Sequence, residues 1–152
     1  MLLTQILRAS CVRVPLNSND KNAAITELLD VLDDNGLLED RAVVSDAVFT
    51  REQTRSTGIG SGIAIPHGKC DAVKNLVMAI GIAHTPIDFE SIDGRPVTTI
   101  ILLISPTDQT GAHIQALAGI SRLMLDEQFK KAFEQSENSD QAYNLLRDKE
   151  KS

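Results

Sequence analysis

The chain has 152 residues, of which 42% are hydrophobic and 24% are charged, and its formal net charge is -6. This composition is typical of globular proteins, and the length suffices for one well-buried core, so we expect a single domain over residues 1–152. The acidic balance, without any run of Lys or Arg, argues against a nucleic-acid partner. No stretch approaches the roughly 18 consecutive apolar residues of a membrane span.

The N-terminus has no basic segment followed by a long apolar core, so the sequence predicts a cytoplasmic protein. Its two cysteines are Cys11 and Cys70. Because disulfides are rare in the cytoplasm, we expect both thiols to be reduced and to take no part in function.

Hydrophobic periodicity predicts strands and helices in alternation. Val12 and Val14 alternate with polar residues, which indicates a short first strand. A helix follows, with Asn19 or Asp20 as its cap and Gly36 at its end. Its apolar face comprises Ile25, Leu28, Leu29 and Leu32.

A second predicted helix spans residues 40–49, and Gly58, Gly60 and Gly62 exclude a helix in the segment after it. Three β-rich runs follow, at 63–65, 76–82 and 97–104. The run 97–104 is almost entirely apolar, as expected for a central strand that is buried on both faces.

Three more helices complete the prediction. The first begins near Ala112, and the other two cover residues 127–133 and 141–146. The predicted apolar stripe of the first comprises Ile114, Leu117, Ser121 and Met124. Helices that bracket strands imply an α/β layered domain.

The most informative residue is His67, which stands between Pro66 and Gly68 at the end of a short apolar run. Pro66 fixes its own φ and holds Ile65 extended, while Gly68 permits a turn that most residues resist. We therefore expect the imidazole ring to be presented to a partner. A neutral imidazole is a competent nucleophile near pH 7.

Three further residues suit phosphoryl chemistry. His113 lies in the first turn of the helix after the central strand, where a helix N-terminus attracts anions and disfavours an imidazolium ion. Arg51 and Arg55 precede the glycine-rich segment, and the planar fork of arginine holds a phosphoryl group at two points. Spacing alone does not choose between the two arginines. The alternative for all three residues is an ordinary capping or solvated side chain.

The stretch 57–69, Thr-Gly-Ile-Gly-Ser-Gly-Ile-Ala-Ile-Pro-His-Gly-Lys, resembles the phosphorylation-site signature of enzyme IIA domains of the fructose/mannitol type. These domains belong to the bacterial phosphoenolpyruvate-dependent sugar phosphotransferase system. Within the family the chain is most similar to the nitrogen-regulatory branch. The similarity also includes Arg51 with Glu52, residues 85–97 and residues 105–117, so it covers essentially the whole chain.

The resemblance implies a mixed parallel and antiparallel sheet of about five strands, flanked by helices on both faces. It also implies a site. His67 matches the histidine that accepts phosphate, with its tele nitrogen, Nε2, as the candidate. His113 matches a second histidine that donates a hydrogen bond to the phosphoryl group, and Arg51 matches an arginine that stabilises its charge. Arg55 and His84 match no site position, and we expect His84 to be an exposed turn residue.

The implied function is a histidine phosphocarrier, an enzyme component that forms a phosphohistidine in nitrogen-type regulation. Its implied donor is the small histidine phosphocarrier protein. No permease or IIB-like domain follows residue 146, so we expect the acceptor, a IIB subunit or a regulatory target, to be a separate chain. The donor is itself a phosphohistidine, so no cofactor or metal is expected.

Several alternatives remain open. The chain could be a sugar-specific component that passes phosphate to a IIB subunit, or an interaction module switched by phosphorylation of His67. A P-loop fits poorly, because the glycines at 62 and 68 are one position too far apart and Cys70 replaces the Ser or Thr that binds magnesium. A zinc site would join His67 and Cys70 to His84 or His113, which are scattered along the chain.

The apolar residues near His67 also have two interpretations. Ile59, Ile63, Ile65 and Pro66 fit a docking rim that excludes water from a labile P–N bond. Strand residues in the core would show the same pattern, most of all at Ile63 and Ile65.

Overall fold

The computed structural model describes all of residues 1–152 and contains one six-stranded sheet and five α-helices. The strands are β1 (Leu7–Arg13), β2 (Gly58–Gly60), β3 (Ile63–Ala64), β4 (His67–Lys69), β5 (Val77–Ile87) and β6 (Val97–Ser105). The helices are α1 (Lys21–Asp34), α2 (Arg41–Thr54), α3 (Thr110–Met124), α4 (Glu127–Glu134) and α5 (Ser139–Lys151), after a 3₁₀ turn at Leu3–Gln5. None of the helices combines the length and apolar character needed to cross a bilayer.

The sheet is organised around β6. This strand pairs antiparallel with β5 and parallel with both β3 and β4, which follow one another along its other edge. β1 extends the sheet in parallel beyond β5, and β2 extends it antiparallel beyond β3. The predicted α/β fold with a mixed sheet is confirmed, with six strands where about five were expected.

Both faces of the central strand are covered. Every residue of β6 is buried except Thr98, which is half-buried. Successive side chains of a strand point to opposite faces, so this burial requires packing above and below the sheet. The apolar run at 97–104 is therefore correctly predicted as a central strand.

α1 begins and packs as its sequence predicts. The side chain of Asp20 accepts a hydrogen bond from the N–H of Ala23 at 2.9 Å, which identifies the cap. The four predicted core residues, Ile25, Leu28, Leu29 and Leu32, are fully buried. Gly36, with φ +70°, turns the chain just after the helix end.

α2 is longer than predicted. Asp40 caps it by accepting the N–H groups of Ala42 and Val43, but the helix continues to Thr54 rather than ending at residue 49. Residues 50–54 contain no Gly or Pro to stop a helix, and apolar periodicity gives no signal where the side chains are polar. Arg51 therefore lies in the last helical turn.

The predicted apolar stripe of α3 is correct at Met124, but its other three positions, Ile114, Leu117 and Ser121, each lie one residue after a buried one. The buried residues are His113, Ala116, Ile120 and Met124, whereas Ile114 is 60% exposed. The buried residue of the first turn is the polar His113. A prediction based on apolar residues therefore assigns the neighbouring face, which begins with Ile114, to the core.

The prediction for His84 is correct in exposure and wrong in conformation. The side chain is exposed, but β5 continues to Ile87, so His84 lies in a strand rather than a turn. Its Nε2–H donates to the carbonyl of Ser136 at 2.9 Å. Pro86 falls where the pairing of β5 with β6 is irregular, which is where a strand tolerates proline.

Gly68 is needed for close packing rather than for a turn. It lies within β4 and has no positive φ, so the predicted turn is wrong. A Cβ at this position would lie 3.2 Å from both the backbone nitrogen and Cγ2 of Val48, and 3.3 Å from the carbonyl carbon of Ala47. Helix α2 thus approaches β4 so closely that a Cβ at this position would make an unusually tight contact with the α2 backbone.

Replacing Gly68 by alanine should lower the free energy of unfolding by about 1–3 kcal/mol, because the added methyl group must push the α2 backbone away from β4. Urea denaturation measures the change. Gly111→Ala is the matched control, since nothing lies within 4 Å of a Cβ there and the residue is helical. Equal effects of the two substitutions would contradict the packing argument.

Candidate active site

His67 is the first residue of β4 and pairs in register with Leu103 of β6. Its ring is half-buried, and Nδ1 lies 2.8 Å from the carbonyl oxygen of Ile65. A carbonyl oxygen only accepts hydrogen bonds, so Nδ1 carries the proton and donates it. Nε2 therefore holds the free lone pair of the neutral ring, and it has no partner in the protein.

His113 lies beside His67. The ring centroids are 5.4 Å apart with the planes at 63°, an edge-on arrangement. The side chain of His113 is only 3% exposed, and its Nδ1 lies 2.6 Å from Oγ of Ser105, the last residue of β6. The alternative that His113 is a surface side chain is therefore wrong.

Arg51 is, with Lys69, one of two cationic side chains that line the cleft of the two histidines. It lines one cleft of about 590 Å³ with His67 and His113, and Thr50 and Lys69 lie on the same cleft. Its Nη1 donates to the carbonyl of Arg55 at 2.9 Å, and no salt bridge neutralises its charge. The arrangement offers a fixed, unpaired guanidinium to an anion.

A second, smaller cleft of about 220 Å³ also includes Arg51 and His67. Ile59 and Ile92 line it and are 50% and 76% exposed. Ile63, Ile65 and Pro66 are buried. Ile59 therefore lies on the rim of the site, whereas Ile63 and Pro66 are buried away from this cleft. Ile65 is buried in the core and also lines the cleft.

Arg55 differs from Arg51 in its position. Its side chain is exposed and reaches the smaller cleft but not the larger one that contains both histidines. Its backbone carbonyl, rather than its guanidinium, contributes to the site by holding Arg51.

Glu52 is a supporting residue that the sequence did not identify. It is 6% exposed, and its carboxylate lies 2.8 Å from Nζ of Lys21 and accepts the N–H and hydroxyl of Thr57 at 3.0 and 2.7 Å. These bonds join the end of α2 to α1 and to the segment that leads into β2. They hold the end of α2, which carries Arg51. The one sequence signal for this role is that Glu52 stands next to Arg51.

Lys69 and Ser105 were also missed as site residues. Lys69 follows Gly68 in the motif and lies on the larger cleft. Ser105 touches His113 from the end of β6. No group of three or more His, Cys, Asp or Glu side chains lies close enough to hold a metal ion, and both cysteines are free and buried.

Both imidazoles are neutral near pH 7. Burial lowers the pKa of His67, and the charges of Arg51 and Lys69 lower it further, against the opposing effects of the Ile65 hydrogen bond and of Glu52. Burial, with His67 and Lys69, lowers the pKa of His113 from 6.5 to about 4. The site therefore presents two uncharged rings beside an arginine.

The low pKa of His113 predicts a pH-dependent stability. The unfolded ring binds a proton at about pH 6.5 and the folded ring only near pH 4, so the unfolded state gains protons first as the pH falls. The free energy of unfolding should drop by about 2 kcal/mol between pH 7 and pH 5 through this group. Urea unfolding of the native protein and of His113→Gln measures it, and identical pH dependence in the two would contradict the assignment.

The family follows from comparison with known proteins. Residues 5–149 match the family model described as "Phosphoenolpyruvate-dependent sugar phosphotransferase system, EIIA 2". The chain belongs to this family. The resemblance inferred from the His67 motif is confirmed, and domains of this family are components of a phosphotransferase system.

Curated relatives of this EIIA domain fall into two groups. The chain is 32% identical over 151 residues to the nitrogen regulatory protein of Escherichia coli K12, covering 97% of the chain and 91% of that protein. It is also 32% identical over 151 residues to the fructose-specific EIIABC component of Bacillus subtilis. That match covers 99% of the chain but only 24% of the relative.

Solved structures agree on the fold. The nitrogen regulatory protein IIA-Ntr from Neisseria meningitidis superposes with a TM-score of 0.86 at 27% identity, covering 95% of this chain and 98% of that one. IIA mannitol from Escherichia coli superposes with a TM-score of 0.78 at 20% identity, which shows the shared fold.

Proposed function

We propose that residues 1–152 form a single-domain, cytoplasmic histidine phosphocarrier that acts in nitrogen-type regulation. His67 accepts the phosphoryl group at Nε2 from a phosphohistidine of the small histidine phosphocarrier protein. The observation that carries the proposal is the bond from Nδ1–H of His67 to the Ile65 carbonyl. It leaves Nε2 as the one nucleophilic nitrogen of a neutral ring, next to an unpaired arginine.

The transfer needs no proton movement at His67. Its Nε2 lone pair forms the new P–N bond while the P–N bond to the donor breaks, and that electron pair returns to the donor ring. The Nδ1 proton stays in place, and the Ile65 carbonyl stabilises the positive charge that develops on the ring. Phosphoryl transfer of this kind depends mainly on alignment and on stabilising charge at the equatorial oxygens.

Arg51 and His113 are the proposed stabilising groups. Arg51 supplies a guanidinium that no carboxylate has neutralised, and His113 supplies a neutral ring held against the end of β6. Donors fixed before the reaction stabilise a transition state without reorganisation. Because the donor phosphohistidine is already activated, no nucleotide, metal or other cofactor enters the proposal.

The shape of the surroundings supports a protein as donor. The exposed side chains of Ile59 and Ile92 lie beside His67 and Arg51 on the smaller cleft. Apolar groups around a small charged centre are typical of a protein interface, and covering them would shield the P–N bond from water.

The second candidate function is phosphate transfer to a IIB subunit during sugar uptake. The fructose-specific relative supports it, and enzyme IIA-mannitol, which has the same fold, was solved in a complex with phosphorylated enzyme IIB-mannitol. Regulation is favoured because the fold is more similar to nitrogen regulatory protein IIA-Ntr, with a TM-score of 0.86 at 27% identity, than to IIA mannitol, with 0.78 at 20%. The target of the phosphorylated or free form would then be a regulatory protein.

Incubation with phosphoenolpyruvate and the two general phosphotransferase proteins should give an acid-labile, base-stable label, and His67→Ala should abolish it. His84→Ala is the control, because His84 lies on an exposed part of β5 and its ring hydrogen-bonds to the carbonyl of Ser136. Loss of label in the His84 variant would overturn the proposal. A chase with IIB proteins separates the two functions: rapid loss of label indicates transport, and a retained label indicates regulation.

Arg51→Ala should slow phosphoryl transfer to His67 by about 10²-fold to 10³-fold, the usual effect of losing one preorganised donor at a developing charge. Arg55→Ala is the matched control, since it keeps the backbone carbonyl that binds Arg51 and removes a side chain outside the larger cleft. Rapid-quench labelling measures both rates. Equal rates for the two variants would show that Arg51 has no special role.

A further inference from the structure

The bond between Ser105 and His113 is isolated inside the protein. Ser105 is fully buried, His113 is 3% exposed, and Oγ of Ser105 lies 2.6 Å from Nδ1 of His113. This is the sole hydrogen bond made by either side chain. The direction of this hydrogen bond determines the tautomer of the neutral ring. If Nδ1 donates, the ring proton is on Nδ1; if the Ser105 hydroxyl donates, the ring proton is on Nε2.

Hydrogen-bond satisfaction decides the direction. If Nδ1–H donated to the serine oxygen, the Ser105 hydroxyl proton would have no acceptor in a site closed to water, and proteins avoid such orphaned donors. If the hydroxyl donates to Nδ1, both groups are satisfied. At neutral pH the ring carries one proton, because the pKa of His113 is about 4, and that proton is then on Nε2.

Nε2 of His113 faces the cleft. The fully buried side-chain nitrogen and oxygen atoms without a partner are the hydroxyls of Ser91, Thr99 and Ser136. Nε2 of His113 also lacks a partner in the protein but is not one of these buried atoms, so it has access to solvent. The cleft that His113 lines is the one shared with His67 and Arg51.

The two histidines therefore have opposite tautomers. His67 is protonated on Nδ1 by its bond to the Ile65 carbonyl and exposes a lone pair. His113 exposes an N–H. A nucleophile and a hydrogen-bond donor are what an incoming phosphoryl group needs, whereas a second lone pair on His113 would repel the phosphoryl oxygens.

We propose that Ser105 is a positioning residue for phosphoryl transfer: its hydroxyl donates to Nδ1 of His113 and so holds the ring proton on Nε2, toward the phosphoryl group. The kinetic consequence rests on the proposed function of His67, but the tautomer does not. No bond to Ser105 forms or breaks in the reaction, and no proton leaves His113.

The tautomer is tested on the unphosphorylated native protein by two-bond ¹H–¹⁵N correlation spectra at pH 7. The expected pattern is an unprotonated Nδ1 and a protonated Nε2 for His113, and the reverse for His67. A protonated Nδ1 on His113 would overturn the proposal. Because this measurement involves no phosphate, it still decides the tautomer if labelling of His67 fails and the proposed function falls.

The role of the hydroxyl is tested by Ser105→Ala, in which phosphoryl transfer to His67 should slow by about 10-fold at an unchanged KM for the donor protein. This is less than the loss of a donor itself, because the ring remains and only its orientation and tautomer are released. The spectra of the variant should show His113 resonances shifted toward a mixture of tautomers. Ser105→Cys, with a weaker S–H donor, should fall between alanine and serine.

Thr99→Val is the matched control. Thr99 lies on the same strand, is fully buried, and its hydroxyl has no partner, so its removal should change neither the rate nor the tautomer. A native rate and a native tautomer in Ser105→Ala would show that the hydroxyl positions nothing. If Ser105→Ala does not fold, the native spectra and the Ser105→Cys rate decide the question.

Discussion

The parallel pairing of β4 with β6 is the constraint on which the site depends. It sets His67 opposite Leu103 and Lys69 opposite Ser105, and the N–H of Cys70 closes the pairing on the Ser105 carbonyl at 3.1 Å. The same strand end then supports His113 from the following helix. One buried strand thereby positions both imidazoles, and its burial on both faces leaves little freedom for either to move.

The charges of the site are distributed unevenly between core and cleft. Glu52 and Lys21 form a pair with little exposure, and Thr57 supplies further hydrogen bonds to the carboxylate. Such a pair gains little net stability, because desolvation offsets the attraction, but losing one partner would strand a buried charge. Its effect is to fix the end of α2. Arg51, in the last turn of α2, has no carboxylate partner and lines the cleft with both histidines.

In the proposed transfer, neutral rings are an advantage, because the phosphoryl group would have to arrive and leave. A charged imidazolium at position 113 would bind the phosphorylated state tightly and slow onward transfer, whereas a neutral N–H donor stabilises the oxygens more weakly. Burial keeps His113 neutral, and the buried partner of its Nδ1 keeps it oriented. The charge and the orientation of the His113 ring are thus set largely by its burial and its hydrogen-bond partner.

Local patterns were sufficient for much of the fold and for the central residue. The periodicity of α1, a cap at Asn19 or Asp20 and the apolar run of β6 are properties of neighbouring residues, and each was predicted from them; the structure identifies Asp20 as the cap. The Pro-His-Gly segment and the residues that resemble the enzyme IIA family identified His67, His113 and Arg51 as candidates, and the structure brings these three to one cleft.

The sequence by itself determined the α/β class, the position of the central strand and the histidine at the end of its apolar motif, because these follow from spacing and side-chain chemistry along the chain. Only the tertiary structure decided that Gly68 is there for the approach of α2, that His113 takes the buried face of α3 and that Ser105 and Glu52 support the site. Each of these depends on contacts between elements that are distant in sequence. A local sequence pattern does not specify which distant side chain will pack into a given space.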